Sequence, residues 1–89
     1  MDAEKSRVLI HPNAEAGFLK LDESVKGRIR KKLRQLEGSL PSRHLGHGLP
    51  YFVEEAGQYR IAFEVDSERK MKIVHFIGSH KEYEKWLKS

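Results

Sequence analysis

The second half of the sequence constrains the fold most, because it contains three strand-like segments joined by very short turns. Segments 51–55 and 58–66 flank a turn that contains Gly57, and a polar turn then leads into segment 71–78. Segment 58–66 alternates apolar and polar side chains, as a half-buried strand does. Segment 71–78 is apolar on both faces, which favours an interior strand. Because strands joined by short turns pair antiparallel, we predict an antiparallel sheet.

The first half of the sequence predicts one strand and two helices. Segment 7–11 is short, apolar and β-branched, as a strand would be. A short helix is predicted over 13–21, with Asn13 as its N-cap. A longer helix, capped by Asp22 or Ser24, follows. Its apolar side chains repeat at helical spacing: Val25, Ile29, Leu33 and Leu36.

Two further segments complete the predicted element order. Segment 39–50 is rich in Pro and Gly and is predicted to be an irregular loop. Ser79 is predicted to cap a last short helix that runs to about Leu87. The order is therefore β-α-α-β-β-β-α, an α+β fold. We predict an antiparallel sheet of about four strands, an N-terminal two-helix hairpin packed on one face, and a short C-terminal helix.

Length and composition restrict the class of protein. The 89 residues make one domain, spanning 1–89. The chain has no cysteine, which excludes disulfides and thiolate chemistry. Its first ten residues lack a signal-peptide core, and no apolar run approaches the roughly 20 residues of a membrane helix. We expect a cytoplasmic protein without a membrane partner.

Charge is segregated along the sequence. The net charge is +4, and segment 26–34 holds six basic residues and no acid. The segment is either a solvated outer face or a surface for a phosphate backbone. Helices exposed to solvent usually mix charges of both signs, so the absence of acids raises the second alternative. The predicted RNA-binding residues are the basic ones of this helix and of the following loop: Lys26, Arg28, Arg30, Lys31, Arg34, Arg43, His44 and His47.

Arg60 and the histidines are the other candidate functional residues. Arg60 lies mid-strand, where it either pairs with a cross-strand acid (Glu54, Glu55 or Glu64) or presents a rigid guanidinium to phosphate. The spacing of His44 and His47 is a weak zinc signal without cysteines, and no metal or cofactor is predicted. His75 alternates with Met71, Ile73 and Ile77, which favours a structural, hydrogen-bonded histidine.

The stretch "FIGSHKEYEKW", residues 76–86, places polar and aromatic groups where a strand gives way to a helix. His80 and Lys81 would lie at the positive end of that helix, where anions are favoured. A histidine side chain suits general acid–base catalysis, and His80 is the candidate here. Tyr83 would share its face, and Trp86 favours a place in the core. Alternatively, the whole segment is a helix docked on the sheet.

The segments "GQYRIAFEVD" and "MKIVHFIGSHKEYEKWL", preceded by a basic two-helix hairpin, resemble the RelE/ParE toxin superfamily. The resemblance implies a compact α+β toxin of a type II toxin–antitoxin pair, with a cognate antitoxin as partner. Toxins of the RelE branch cut mRNA in the ribosomal A site without a metal. Those of the ParE branch inhibit DNA gyrase.

The resemblance also implies site residues. Arg60 matches the strand arginine that contacts the scissile phosphate, His80 or Lys81 the basic position after the last strand, and Tyr83 the C-terminal aromatic. The strand before the turn departs from the family, because "YFVEE" replaces a lysine-bearing strand. The general base is then expected to be His80, with Glu54, His44 and His47 as weaker candidates.

These observations lead to one expected function and two alternatives. We expect a ribosome-dependent mRNA endonuclease that inhibits translation and is neutralised by an antitoxin. The catalytic residues would be Arg60, His80, Lys81 and Tyr83. The alternatives are a ParE-like gyrase inhibitor and a relative that binds RNA or protein without catalysis.

Overall fold

The computed structural model describes residues 7–38, the backbone of 43–44, and residues 51–88. Within them the fold is α+β, and the predicted order of helices and longer strands is confirmed. The elements in chain order are β1 (Arg7–Ile10), α1 (Pro12–Leu19), α2 (Glu23–Leu36), β2 (Arg43–His44), β3 (Tyr51–Ala56), β4 (Tyr59–Asp66), β5 (Met71–Ser79) and α3 (His80–Lys88). The short strand β2 lies inside the predicted loop 39–50, and the rest of that loop is outside the described residues.

The sheet has the order β1-β5-β4-β3-β2 and is mixed. The strands β2 to β5 pair antiparallel, as their short connections require. The first strand, β1, instead pairs parallel with β5, with Arg7 opposite Met71. No turn fixes the direction of β1, because the helix hairpin carries the chain across the sheet before β3 begins. The arrangement is therefore not wholly antiparallel.

The first helix is capped two residues earlier than predicted. Its N-cap is His11, whose Nδ1 accepts a hydrogen bond from the Asn13 amide at 3.1 Å. Pro12 occupies the first helical turn, where its missing N–H leaves no donor unsatisfied. Asn13, the predicted cap, therefore lies inside the helix.

The core lies between the α1–α2 hairpin and one face of the sheet. Ile29 and Leu36 of α2 are fully buried, as their spacing predicted. They pack with the buried strand residues Ile61, Phe63, Val74 and Ile77. The first helix lies very close to β5, because a Cβ at Gly17 would collide with the carbonyl oxygen of Ile77.

A β-bulge in the pairing of β4 with β5 changes which side chains of β5 face the core. Ile61 pairs with Ile77, but Phe63 pairs with Val74, so β5 carries one extra residue. Val74 and Ile77 are therefore both buried in the core. The prediction that His75 lies on the same face of the strand as Ile77 is wrong for this reason. His75 packs on the other side, 5.2 Å between ring centroids from Tyr51.

The opposite face of the sheet carries α3. The Trp86 ring lies 5.2 Å from the Tyr51 ring and 5.4 Å from the Phe76 ring, measured between centroids. Phe52 and Ile77, the chain neighbours of Tyr51 and Phe76, pack in the core under the helix hairpin. Because side chains alternate along a strand, Tyr51 and Phe76 point to the opposite face of the sheet. The two faces of the sheet are thus covered by different helices.

A buried lysine ties β5 to the C-terminal end of α2. The Lys72 ammonium donates to the carbonyl oxygens of Leu36 at 2.6 Å and Gly38 at 2.9 Å. It thereby satisfies carbonyls that a helix end leaves without partners and complements the helix dipole. Burial lowers the pKa of Lys72 from its ordinary value, and the Glu54 carboxylate opposes that shift.

Candidate active site and nucleic-acid interface

An open cleft of about 560 Å³ lies where the β3–β4 turn meets the start of α3. Two structural relationships create it: Tyr59 pairs with Ser79 across the ladder, and the His80 amide donates to the Gln58 carbonyl at 2.8 Å. The antiparallel pairing thus brings together side chains that are distant in sequence. The cleft is lined by Gly57, Gln58, Arg60, Ser79, His80 and Lys81.

Arg60 is held in one orientation by its surroundings. Its Nη1 donates to the carbonyl oxygens of Gly57 at 2.9 Å and Tyr59 at 3.0 Å, and its Nε lies 3.8 Å from a Glu55 carboxylate oxygen. Nη2 makes no hydrogen bond to any residue that the structure describes. The sequence offered two alternatives for Arg60, a pair with a cross-strand acid and a rigidly mounted guanidinium. Both are present.

Glu54 is not a candidate base for this cleft. Side chains alternate along β3, so Glu54 points to the face opposite Glu55. There it is buried under α2, with Lys32 Nζ 3.4 Å from its carboxylate. The sequence-based suggestion of Glu54 as a base at Arg60 is wrong for this reason.

Ser79 and Glu82 form a capping box at the start of α3. The Glu82 amide donates to Ser79 Oγ at 3.2 Å, and the Ser79 amide donates to Glu82 Oε1 at 3.0 Å. The predicted cap is confirmed. Because the Glu82 carboxylate already occupies the positive helix end, His80 and Lys81 contribute their side chains to the cleft rather than an open helix terminus.

His80 is oriented by an acid one turn along α3. Its Nε2 lies 3.1 Å from Glu84 Oε2, and both side chains are about half exposed. This contact engages one ring nitrogen and leaves Nδ1 as the atom that can exchange a proton with a ligand. The partnership was readable from the four-residue spacing but was not predicted.

Tyr83 is not brought into the cleft. Its side chain is only 7% exposed, with its ring 5.9 Å from Phe76 and 6.2 Å from Trp86 between centroids. The helix turns this side chain toward the sheet while His80 and Lys81 face the cleft. Trp86 packs in the same aromatic cluster, where it is partly buried and lies outside the core under the helix hairpin.

The basic residues of α2 divide into groups that face different directions. Arg28 and Lys31 line a second cleft of about 320 Å³ together with Lys32, Gln35, Ala56 and Gly57. Arg30 and Arg34 line a groove beside β1 whose other members are Val8, Ile10, Leu33 and Glu37. The helix is therefore not one continuous positive surface.

The remaining predicted residues have other surroundings. Lys26 pairs with Glu23 at 3.3 Å, and both Lys26 and Arg30 lie over the Phe18 ring. Arg43 belongs to β2 at the sheet edge, where it pairs with Val53. His44 lies in the same strand. The side chains of Arg43 and His44 lie outside the described residues, and so does the whole of His47.

His75 lies away from the cleft and is hydrogen-bonded, as predicted. Its Nε2 is 3.0 Å from Glu64 Oε1. Over residues 7–38, 43–44 and 51–88, no three His, Asp or Glu side chains gather in a way that could hold a metal ion. In the same part of the chain, no helix is long and apolar enough to cross a membrane.

Neither protein families nor curated proteins provide a match to the sequence. Solved structures do. A mutant of E. coli toxin RelE in the free state superposes with a TM-score of 0.76, covering 92% of this chain and 90% of that one at 19% identity. The chain has the RelE toxin fold.

RelE toxins from distant species show the same similarity. The RelBE2 toxin–antitoxin complex of Mycobacterium tuberculosis has a TM-score of 0.73 at 14% identity, covering 84% of this chain and 91% of that one. The archaeal RelE–RelB complex of Pyrococcus horikoshii has a TM-score of 0.69 at 17% identity, covering 84% and 94%. The RelE fold thus extends over most of the chain while few residues are shared.

Proposed function

We propose that this chain is a RelE-like toxin that cleaves mRNA on the translating ribosome and so inhibits translation in the cytoplasm. The observation that carries the proposal is the convergence of Arg60, His80 and Lys81 on one open cleft. Three cationic or titratable groups in one cleft suit a phosphodiester, whose charge increases in the transition state. The RelE fold supports the same conclusion.

The chemistry needs no metal. The 2′-hydroxyl of one nucleotide attacks the adjacent phosphate, the bond to the next 5′ oxygen breaks, and a proton moves from the first oxygen to the second. Arg60 binds the phosphate with a guanidinium already fixed by two backbone carbonyls, so little reorganisation is required. His80, oriented by Glu84, moves the proton, and Lys81 adds positive charge.

The partner that neutralises this activity is a cognate antitoxin. Solved relatives of the RelE fold are complexes of RelE with RelB antitoxins, which supports a partner of that type here. We infer that an amphipathic helix of the antitoxin covers the cleft and excludes RNA from Arg60.

A second candidate is an RNA-binding relative that does not cleave. Two observations favour it: Tyr83 is buried on the sheet, and β3 supplies Glu55 at the cleft where the RelE pattern has lysine. Such a protein would bind RNA through the same cations without a complete set of proton-transfer groups. An inhibitor of gyrase remains the ParE-like alternative from the sequence.

Primer extension on a message in a purified translation system tests the proposal. Wild type is expected to produce cuts within codons only when ribosomes are present. Arg60→Ala and His80→Ala are expected to remove the cuts while keeping the far-UV circular dichroism spectrum. An intact message at high protein concentration contradicts cleavage. Inhibition of DNA supercoiling in that case identifies the gyrase alternative.

A further inference from the structure

The second cleft, beside the β3–β4 turn, has no role in the proposed chemistry. Its helix residues Arg28, Lys31, Lys32 and Gln35 follow the i, i+3, i+4, i+7 spacing and form one stripe along α2. Lys32 is partnered by the buried Glu54 carboxylate. Arg28 and Lys31 have no acidic partner within the part of the chain that the structure describes. Two uncompensated cations therefore line this cleft.

Gly57 joins the second cleft to the first, because it lines both. Its carbonyl oxygen accepts a hydrogen bond from Arg60 Nη1 at 2.9 Å, and a Cβ added to it would lie 3.6 Å from Arg28 Nη1. Standard backbone dimensions then place the two Nη1 atoms within roughly 10 Å of each other. The glycine has a φ of +63° and carries no side chain that would stand between the two guanidinium groups.

We propose that single-stranded RNA crosses Gly57 from the first cleft into the second, where Arg28 and Lys31 bind a phosphate that flanks the one at Arg60. This inference rests on the proposed function and adds a second phosphate site to it. A guanidinium and an ammonium on one helix stripe match the oxygens of a phosphodiester. A strand held at two points is fixed in register, so the site governs binding rather than proton transfer.

The composition of the second cleft favours a phosphate backbone over a protein partner. Among the described residues that line it, only Ala56 and Gly57 lack a polar side chain, and neither is large enough to serve as an apolar anchor. A docked protein helix needs apolar anchors. The groove beside β1 contrasts with it, because Val8, Ile10 and Leu33 supply such anchors there.

Two double variants of α2 test the proposal. The first is Arg28→Gln with Lys31→Gln, and the comparison is Arg30→Gln with Arg34→Gln, which removes the same charge from the other side of the helix. The probe is a fluorescent 2′-O-methyl oligoribonucleotide, which cannot undergo attack by a 2′-hydroxyl. Its affinity is measured by anisotropy at several salt concentrations, for wild type, both doubles and Arg60→Ala.

The first double is expected to bind at least about tenfold more weakly than the second. Its plot of log K against log salt should flatten by about 0.7, because it loses one single-strand phosphate contact and each such contact contributes about 0.7 to the slope. Equal losses in the two doubles would mean that only net charge matters, and would overturn the proposal.

Other outcomes separate this inference from the function on which it rests. If Arg60→Ala weakens binding but the Arg28 and Lys31 double does not, the second site is wrong while the proposed function stands. If wild type binds no oligonucleotide even at low salt, the second site is wrong, and primer extension decides the proposed function independently. Unchanged RNA affinity with weakened binding to an acidic antitoxin peptide would reassign the stripe to a protein and overturn the proposal.

A pair of substitutions at Gly57 probes the passage itself. Asn and Asp both tolerate positive φ and have nearly the same size, so they strain the turn equally. Gly57→Asp places a carboxylate toward Arg28, where it competes with phosphate. We expect it to bind the oligonucleotide at least about fivefold more weakly than Gly57→Asn. Equal affinities for the two variants would contradict a strand passing over this residue.

Discussion

Arg60 and Glu55 face each other across the β3–β4 ladder, with the guanidinium Nε 3.8 Å from a carboxylate oxygen. Glu55 therefore competes with any phosphate that approaches Arg60. Glu55 is 46% exposed, so the pair is screened by solvent and contributes little stability. Its carboxylate also lowers the net positive charge that the cleft presents to an anionic ligand.

Glu55→Gln is expected to strengthen binding of the non-cleavable oligonucleotide about two- to fivefold, which is the range of a solvent-exposed ion pair. Anisotropy titration measures the change. Glu68→Gln, in the exposed β4–β5 turn, makes the same change in net charge and is the control. If the control strengthens binding as much, the pairing with Arg60 has no role of its own.

Arg60→Lys keeps the charge but loses the planar group that bonds two backbone carbonyls at once. We expect ribosome-dependent cleavage to fall about 100-fold, while the free energy of unfolding decreases by only about 1–2 kcal/mol. Single-turnover kinetics and urea denaturation measure the two effects. Arg69→Lys, at an arginine that is 76% exposed, should change neither. Wild-type cleavage by Arg60→Lys would mean that any cation suffices at this position.

Lys72→Ala should destabilise the fold by about 1.5–3 kcal/mol at neutral pH, because the carbonyls of Leu36 and Gly38 lose a charged donor. Burial lowers the pKa of Lys72 in the folded state, so the unfolded chain holds that proton more tightly. The contribution of Lys72 to the free energy of unfolding therefore increases as the pH rises toward 10.5, the ordinary pKa of a lysine.

Urea denaturation of wild type and Lys72→Ala at several pH values from neutral upward checks this sign. The difference in unfolding free energy between the two proteins should widen as the pH increases. Lys85→Ala, an exposed lysine of α3, should show a constant difference. A gap that narrows with increasing pH would mean that the pKa is raised instead.

Substitution by alanine is expected to have opposite effects on stability at two helical glycines. Gly17→Ala puts a methyl group against the Ile77 carbonyl, so α1 must move from the sheet, and we expect a loss of about 1–3 kcal/mol. Gly27→Ala meets nothing within 4 Å and should stabilise α2 by about 0.5–1 kcal/mol. Thermal unfolding measures both. Equal signs would contradict the close approach of α1 to β5.

Local chemistry explains which parts of the fold were predictable from the sequence. The stripe through Ile29 and Leu36, the turn at Gly57 and the cap at Ser79 each depend on residues close in sequence, and each is confirmed. The meeting of Arg60 with the start of α3 follows from the pairing of β4 with β5, whereas the sequence suggested it only through the resemblance to RelE toxins.

Features that depend on distant contacts were not predictable in the same way. The direction of β1 is decided by its contact with β5, and the bulge between Ala62 and Phe63 by the packing of two strands. The burial of Tyr83 depends on Phe76 and Trp86 rather than on helical spacing alone. The division of the α2 cations depends on which neighbour each one faces.

The parallel pairing of β1 with β5 has a consequence for synthesis. β1 is made before both helices and the other strands, its partner β5 is made after them, and α3 follows. Loop closure over such a separation is slow, so we expect this pairing to form late in folding. A chain still being translated therefore has neither a finished sheet nor the His80 side of its cleft. If the protein acts on ribosomes, the one that makes it is protected at least until α3 has been made.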